Sequence, residues 1–107
     1  MTINRDSTAT INERLKKDTE FAKALLDEAA SLLLNGEPET ARLILRDLVN
    51  ATISFKKLAQ QTALPSKSLH RMLSAKGNPK MNNLTTIFDM LRQELRVSLE
   101  VIAIRVE

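Results

Sequence analysis

Apolar residues recur at helical spacing through most of the chain, and short polar breaks divide the pattern into five segments. The first segment begins at Asp18 and stops at Asn35-Gly36, and Pro38 lies in the first turn of the second segment, EPETARLILRDLVNA. The pattern therefore predicts two amphipathic helices separated by a short break. The positions that recur at helical spacing in the first helix are Phe21, Ala24, Leu25, Glu28, Ala29, Leu32 and Leu33, and those that share a face of the second are Ala41, Leu45, Leu48 and Val49.

A third and a fourth helix follow, with a proline-containing break between them. Ser54 is a suitable N-cap for the third helix, FKKLAQQTA, because its hydroxyl can accept a hydrogen bond from a first-turn amide. The break is Leu64-Pro65-Ser66; either Pro65 or Ser66 opens the fourth helix, which continues to about Ser74. The predicted inner positions are Leu58 in the third helix and Leu69, Met72 and Leu73 in the fourth.

The fifth predicted helix, LTTIFDMLRQEL, follows a Gly77-Asn78-Pro79 turn and is capped by Asn82 or Asn83. Its inner positions are Leu84, Ile87, Phe88 and Leu91. Residues 1–17 are polar and without periodicity, which indicates a flexible N-terminal arm. The expected organisation is this arm, a helical domain at residues 18–95 and a separate C-terminal segment at residues 96–107.

The C-terminal stretch RVSLEVIAIRVE has a different pattern. Apolar residues alternate with Ser98 and Glu100, and then continue with the opposite parity after Val101. Alternation of β-branched residues favours a β-strand with a bulge near Val101. One strand cannot satisfy its own backbone, so it must pair with a second copy, with the N-terminal arm or with another protein. The residues predicted to form a dimerisation surface are Val97, Leu99, Val101, Ile102 and Ile104.

Composition supports an all-α fold and argues against catalysis. The chain has 107 residues, enough for one domain, and its aromatic content of 3% leaves a core of aliphatic side chains and methionine. There is no cysteine and only one histidine, so thiolate sites, His-rich metal sites and two-His catalytic arrangements are excluded. We expect no enzyme activity, metal or cofactor. No apolar run approaches the ~20 residues of a membrane span or resembles a secretory signal, so a cytoplasmic protein is expected.

Positive charge is concentrated in the middle of the chain. No Asp or Glu occurs between Asp47 and Asp89, and the formal net charge of the whole chain is +3. A positive potential focused on one face attracts polyanions, although a solvated Lys-rich surface is the alternative. The six cationic residues of this acid-free interval are Lys56, Lys57, Lys67, Arg71, Lys76 and Lys80.

The spacing within the third and fourth helices favours DNA as the polyanion. The small Ala59 lies where two helices would cross closely. Opposite the apolar stripe of the fourth helix lie Lys67, His70, Arg71 and Ser74. Two helices joined by a short turn, the second with its polar side outward, are typical of a helix-turn-helix, whose second helix contacts base edges. An ordinary helical hairpin on the protein surface is the alternative.

The candidate DNA contacts form two groups. Arg71 is the best candidate for a bidentate contact with guanine, with a phosphate contact as its alternative, and Ser68 could instead pack against the preceding helix. The predicted base-facing residues are Ser66, Lys67, Ser68, His70 and Arg71. The predicted phosphate contacts are Lys56, Lys57, Lys76, Lys80 and Asn82.

The stretch LAQQTALPSKSLHRMLSAKGNPKMNNLTTIFDMLRQELRVSLEV resembles the lambda-repressor-like (Cro/C1-type) helix-turn-helix fold. More narrowly, it is similar to the addiction-module antidote (HigA-like antitoxin) proteins, in which an LA..TGLS...LY..LS..GNP run precedes a helix and a hydrophobic tail. The resemblance covers roughly residues 18–101, and Gly77-Asn78-Pro79 is its most specific element. Two departures are Ala63, where the family usually has glycine, and His70, where it often has tyrosine.

The resemblance implies a dimeric repressor that reads a palindromic operator in double-stranded DNA. It also implies the antitoxin and autorepressor of a type II toxin-antitoxin module, with a basic ribonuclease-type toxin as partner. A free-standing repressor without a toxin and a toxin-binding module with weak DNA binding are the alternatives. Complementarity to a basic partner is expected from the acidic N-terminal half, which contains Asp18, Glu20, Asp27, Glu28, Glu37 and Glu39.

Overall fold

The computed structural model of the chain describes residues 18–107, which form five α-helices and no β-strand. The all-α prediction is therefore confirmed for this part of the chain, and the arm predicted at residues 1–17 lies outside it. The helices are α1 (Thr19–Leu34), α2 (Pro38–Ala51), α3 (Phe55–Thr62), α4 (Ser66–Met72) and α5 (Met81–Leu95).

Local capping signals set the start of several helices. The Asp18 carboxylate accepts a hydrogen bond of 3.1 Å from the amide of Phe21, which opens α1. Ser54 caps α3 as predicted, because its hydroxyl accepts a bond of 3.2 Å from the amide of Lys57. Pro38 is the first residue of α2, where its missing N–H leaves no helical bond unmade.

Two predicted boundaries are wrong. The fifth helix is not capped by Asn82 or Asn83, because the Lys80 carbonyl already accepts the first helical bond from the amide of Leu84 and both asparagines lie inside the first turn. The fourth helix begins at Ser66, as one of the two alternatives predicted, but it ends at Met72, two residues earlier than expected.

The core is built where α1 packs along α2 and where α5 contacts both α1 and α3. All four predicted inner positions of α2 are fully buried. In α1 the predicted Ala29 is fully buried, but Ala24 and Glu28 are exposed, and the other buried positions are Ala22 and Leu26. Because α1 is apolar on more than one side, its periodicity cannot select the inner face. The largest fully buried side chains are Leu26, Leu45, Leu48, Leu58, Leu69, Leu73, Ile87, Leu91 and Val49.

The predicted C-terminal β-strand is wrong for the chain as described. Arg96 adopts a left-handed conformation (φ 57°), and the Val97 amide donates to the Arg92 carbonyl at 3.0 Å, which closes α5. The following residues pair with no described strand. The alternating pattern favours an extended backbone, but a β-strand forms only when a second strand accepts and donates its backbone hydrogen bonds. No such partner strand occurs among the described residues.

The C-terminal tail, residues 97–107, is apolar but only partly packed. Val97 and Leu99 lie half-buried against the core, and the tail then runs beside α1. A groove of about 840 Å³ lies between the tail, the second half of α1 and the first half of α5. Exposed apolar side chains surround it: Leu34, Val101, Ile102, Ile104 and Val106 are 64–88% exposed.

The turn between α3 and α4 contains an alanine in a left-handed conformation. Ala63 has φ 59° and ψ 23°, and the amide of Leu64 donates to the Thr62 hydroxyl at 3.3 Å within the same turn. A left-handed conformation costs a residue with a β-carbon about 1–2 kcal/mol. The backbone therefore retains the conformation that glycine would favour, although alanine disfavours it.

Replacing Ala63 by glycine should stabilise the fold by about 1 kcal/mol, because the relief of strain exceeds the extra entropy of the unfolded glycine chain. The measurement is the free energy of unfolding in urea. The matched control is Ala24→Gly, an exposed position in the interior of α1, which should lose about 1 kcal/mol. Equal losses in both variants would show that residue 63 is not left-handed in solution.

Candidate nucleic-acid interface

The fourth helix presents its polar side to solvent. Leu69 and Leu73 are fully buried, and Met72 is half-buried, so the predicted apolar stripe is confirmed. Four of the five predicted base-facing residues are exposed: Ser66, Lys67, His70 and Arg71. Ser68 is half-buried and lies on the boundary between the exposed side of α4 and the core. The exposed side chains can therefore contact a ligand without disturbing the core.

His70 is oriented by an aromatic neighbour. Its ring stacks on the ring of Phe55, with the centroids 3.8 Å apart and the planes inclined by 20°. Phe55 is the first residue of α3 and is almost fully buried. The stack joins α4 to the start of α3 and covers one face of the imidazole. His70 forms no side-chain hydrogen bond with the described residues, so its ring nitrogens can still meet a ligand.

The loop after α4 accepts only glycine at position 77. A β-carbon on Gly77 would lie 2.4 Å from the carbonyl oxygen of Met72 and 2.6 Å from that of Arg71. Both obstacles are backbone atoms at the end of α4, which cannot move away as a flexible side chain could. The Gly77 amide donates to the Ser74 carbonyl at 3.1 Å. The loop is thus packed directly on the last turn of α4.

An arginine from α2 holds the same loop. Arg42 donates from Nε to the carbonyl of Ser74 at 3.1 Å and from Nη2 to the carbonyl of Ala75 at 2.8 Å. Sequence reasoning missed this residue. It precedes its partners by more than 30 residues, and neither periodicity nor local charge distinguishes it from the neighbouring Arg46.

The predicted phosphate contacts lie on three elements. Lys56 and Lys57 are in the first turn of α3, Lys76 is in the loop after α4, and Lys80 and Asn82 flank the start of α5; all five are exposed. These elements contact one another through α3, which packs against both α4 and α5. Lys57 lies beside the C-terminal end of α5 through Glu94, whereas Lys80 and Asn82 are at the N-terminal end of that helix.

One of these cations already has an acidic partner. Lys57 Nζ lies 3.4 Å from Glu94 Oε1 of α5. The acid-free interval gave no indication of this pair, because Glu94 is 37 residues away along the chain. The five other cationic side chains of the interval form no ion pair or hydrogen bond within residues 18–107: Lys56, Lys67, Arg71, Lys76 and Lys80.

One carboxyl outside these elements is perturbed by its surroundings. Burial raises the pKa of the Asp47 carboxyl on α2, and the neighbouring Arg46 charge opposes that shift. No group of three or more His, Asp or Glu side chains suited to a metal ion occurs among the described residues. None of the described helices is both long enough and apolar enough to cross a membrane.

Comparison of the chain with models of known protein families, with curated proteins and with solved structures gives no match. Any function must therefore be inferred from the residues and their geometry. The candidate interface consists of the exposed side of α4 and the unpaired cations of the acid-free interval. The helix packs on α3 and on the Gly77 loop, which Arg42 holds.

Proposed function

We propose that this protein is a cytoplasmic, sequence-specific DNA-binding regulator of transcription. Its α3 and α4 would act as a helix-turn-helix within a domain of the lambda-repressor-like type. The observation that carries the proposal is the set of five cationic side chains of the acid-free interval that have no acidic partner among residues 18–107. Each can meet a phosphate or a base edge without first breaking an ion pair.

In the proposed complex, α4 enters the major groove. Ser66 and Lys67 are at its N-terminus, the end that meets base edges in this class of motif. Arg71 is one turn further along and its guanidinium can donate two parallel hydrogen bonds to guanine. The lysines around α4 then bind phosphates, which fix the register of the domain on the duplex but carry no sequence information. Lys57 is the least suited of these lysines to bind a phosphate, because it already forms an ion pair with Glu94.

Replacing Arg71 by alanine should cost about 1–3 kcal/mol in operator affinity and relax specificity at one position in each half-site. Replacing Lys80 by alanine should weaken binding to all sequences alike and reduce the slope of log affinity against log salt by about 1. The measurement is titration of each variant, over a salt series, with a duplex that the parent protein selects from a randomised pool.

Lys23→Ala is the matched control for both variants. Lys23 is exposed on α1, and its ion pair with Glu20 (3.6 Å) is separate from the proposed interface. The variant removes one positive charge and should leave affinity and salt slope near those of the parent. If Arg71→Ala binds the selected duplex as tightly as the parent protein, the docking described here is wrong.

We also propose that the protein is the antitoxin and autorepressor of a type II toxin-antitoxin module. Support comes from the resemblance of residues 18–101 to HigA-like antitoxins and from the exposed acids of the N-terminal half. Those acids suit a basic ribonuclease, whose RNA-binding surface they would cover. They are Glu20, Asp27, Glu28, Glu37 and Glu39. The alternative functions are a free-standing repressor without a toxin and a toxin-binding module with weak DNA binding.

Co-expression with the product of the adjacent reading frame should yield a co-purifying complex in which ribonuclease activity is suppressed. Changing Asp27 to Asn and Glu28 to Gln should weaken that complex, because both acids are exposed on α1. Glu107→Gln, an equally exposed acid at the chain end, is the control and should have no effect. A neighbouring toxin that stays fully active and does not co-purify would contradict the antitoxin role and leave a free-standing repressor.

The functional unit is proposed to be a homodimer joined through the C-terminal tail. No backbone amide from Ser98 onward donates a hydrogen bond to a described residue, and four β-branched side chains of this stretch are exposed. Two tails paired about a two-fold axis would satisfy both backbones and cover the apolar side chains. The same axis would place two copies of α4 about 34 Å apart, on successive turns of a palindrome.

A chain that ends at Glu100 should lose the dimer and most of its specific DNA affinity while keeping its fold and weak non-specific binding. This endpoint retains Val97 and Leu99, which pack on the core, and removes only the exposed part of the tail. Sedimentation gives the oligomeric state, and thermal unfolding checks the fold. A full-length protein that sediments as a monomer at micromolar concentration without DNA would exclude this dimer; the tail would then have another partner or fold onto its own N-terminal arm.

A further inference from the structure

The last turn of α4 and the loop after it depend on contacts with distant residues. The helix has only seven residues and no hydrogen-bonding side chain at its N-cap. It ends at Met72, and the chain then turns into the loop of residues 73–80. Arg42 supplies donors to two carbonyls of this loop, those of Ser74 and Ala75.

The geometry points to Arg42 as a positioning residue for DNA recognition, an inference that rests on the DNA-binding function proposed above. Its guanidinium uses two N–H groups to hold two consecutive backbone carbonyls. A positive charge at the C-terminal end of a helix is also favourable to the helix dipole. Arg42 therefore ties α2, which belongs to the core, to the loop that packs on the last turn of the proposed recognition helix.

The contact also sets the position of the loop cations. Lys76 follows Ala75 directly, and Gly77 closes back on Ser74 through its amide. Position 77 leaves no room for a side chain, because a β-carbon there would meet the backbone of α4. If the Arg42 bonds are lost, the described hydrogen bonds that hold the loop are local ones, from the Ser74 amide and hydroxyl to the Arg71 carbonyl and from the Gly77 amide to the Ser74 carbonyl. Lys76 would then be displaced together with the end of α4.

Three variants separate positioning from charge. Arg42→Met keeps an apolar stem of similar length and removes all donors, and Arg42→Lys keeps the charge but cannot reproduce the two-point geometry. Arg46→Met is the matched control: Arg46 lies one turn further along α2, is also half-buried and forms no hydrogen bond or ion pair with the described residues. It loses the same charge from the same helix.

The first measurement is amide hydrogen exchange at Gly77 in the protein without DNA. We expect exchange to become about tenfold faster in Arg42→Met, as loss of charge-assisted hydrogen bonds would produce. Arg42→Lys should be intermediate, and Arg46→Met should be unchanged. Thermal unfolding of each variant shows that the fold is intact. Unchanged exchange in Arg42→Met would overturn the inference, whatever the protein binds.

The second measurement is affinity for the duplex selected from a randomised pool, over a salt series. Positioning predicts that Arg42→Met binds about tenfold more weakly, and that any loss of salt slope, up to about 1, comes from the displaced Lys76 and disappears when Lys76 is already replaced by alanine. A slope that falls by about a further 1 when Arg42→Met is added to Lys76→Ala would instead mean that Arg42 binds phosphate directly, which overturns the positioning role. If the parent protein binds no duplex, the proposed function fails with its positioning residue, and Gly77 exchange still reports separately whether Arg42 holds the loop.

Discussion

The structure around the candidate interface depends on the anchoring of a helix that is too short to exist alone. Isolated helices below about 12–15 residues are marginal in water, and α4 has seven residues. Leu69 and Leu73 are fully buried, and each buried leucine contributes about 1.5–3 kcal/mol. The Phe55–His70 stack fixes the same helix from another side, and the Gly77 loop, which Arg42 holds, packs on its last turn. The outward side of α4 thus has a defined geometry although the helix itself has little intrinsic stability.

Because these contacts hold α4 in place, the fold does not depend on ion pairs from the cations of α4. A lysine that stabilises the fold through an ion pair must give up that pair to bind a phosphate, as Lys57 would have to leave Glu94. Lys67 and Arg71 on α4 have no such partner among the described residues. Exposed ion pairs contribute only about 0–1 kcal/mol, so leaving these charges unpaired costs the fold little. Stability is supplied by apolar burial and backbone contacts, and charge stays available for a ligand.

The sequence was sufficient where one physical signal acts alone. The inner face of α2, the Ser54 cap and the apolar stripe of α4 follow from local chemistry or from a clear period. It was insufficient where the pattern fits two structures equally well, or where a contact with a distant residue determines the local structure. The face of α1 depends on what packs against it, and the tail alternates like a strand but has no described partner. Arg42 and Glu94 act on residues more than 30 positions away, and nothing local marks either of them.

Backbone strain is placed at both ends of α3. Ser54, just before it, has φ 76°, and Ala63, just after it, has φ 59°, although neither is glycine. Such conformations cost of order 1–3 kcal/mol each, so they persist only where other contacts determine them. Ser54 is held through its amide to the Val49 carbonyl at 2.7 Å, through its carbonyl and through its capping hydroxyl. Ser54 thereby joins the start of α3 to the end of α2, and the Leu64 amide donates to the Thr62 hydroxyl at the other end. In the proposed complex, DNA would then meet a preformed surface, and little ordering entropy would be lost on binding.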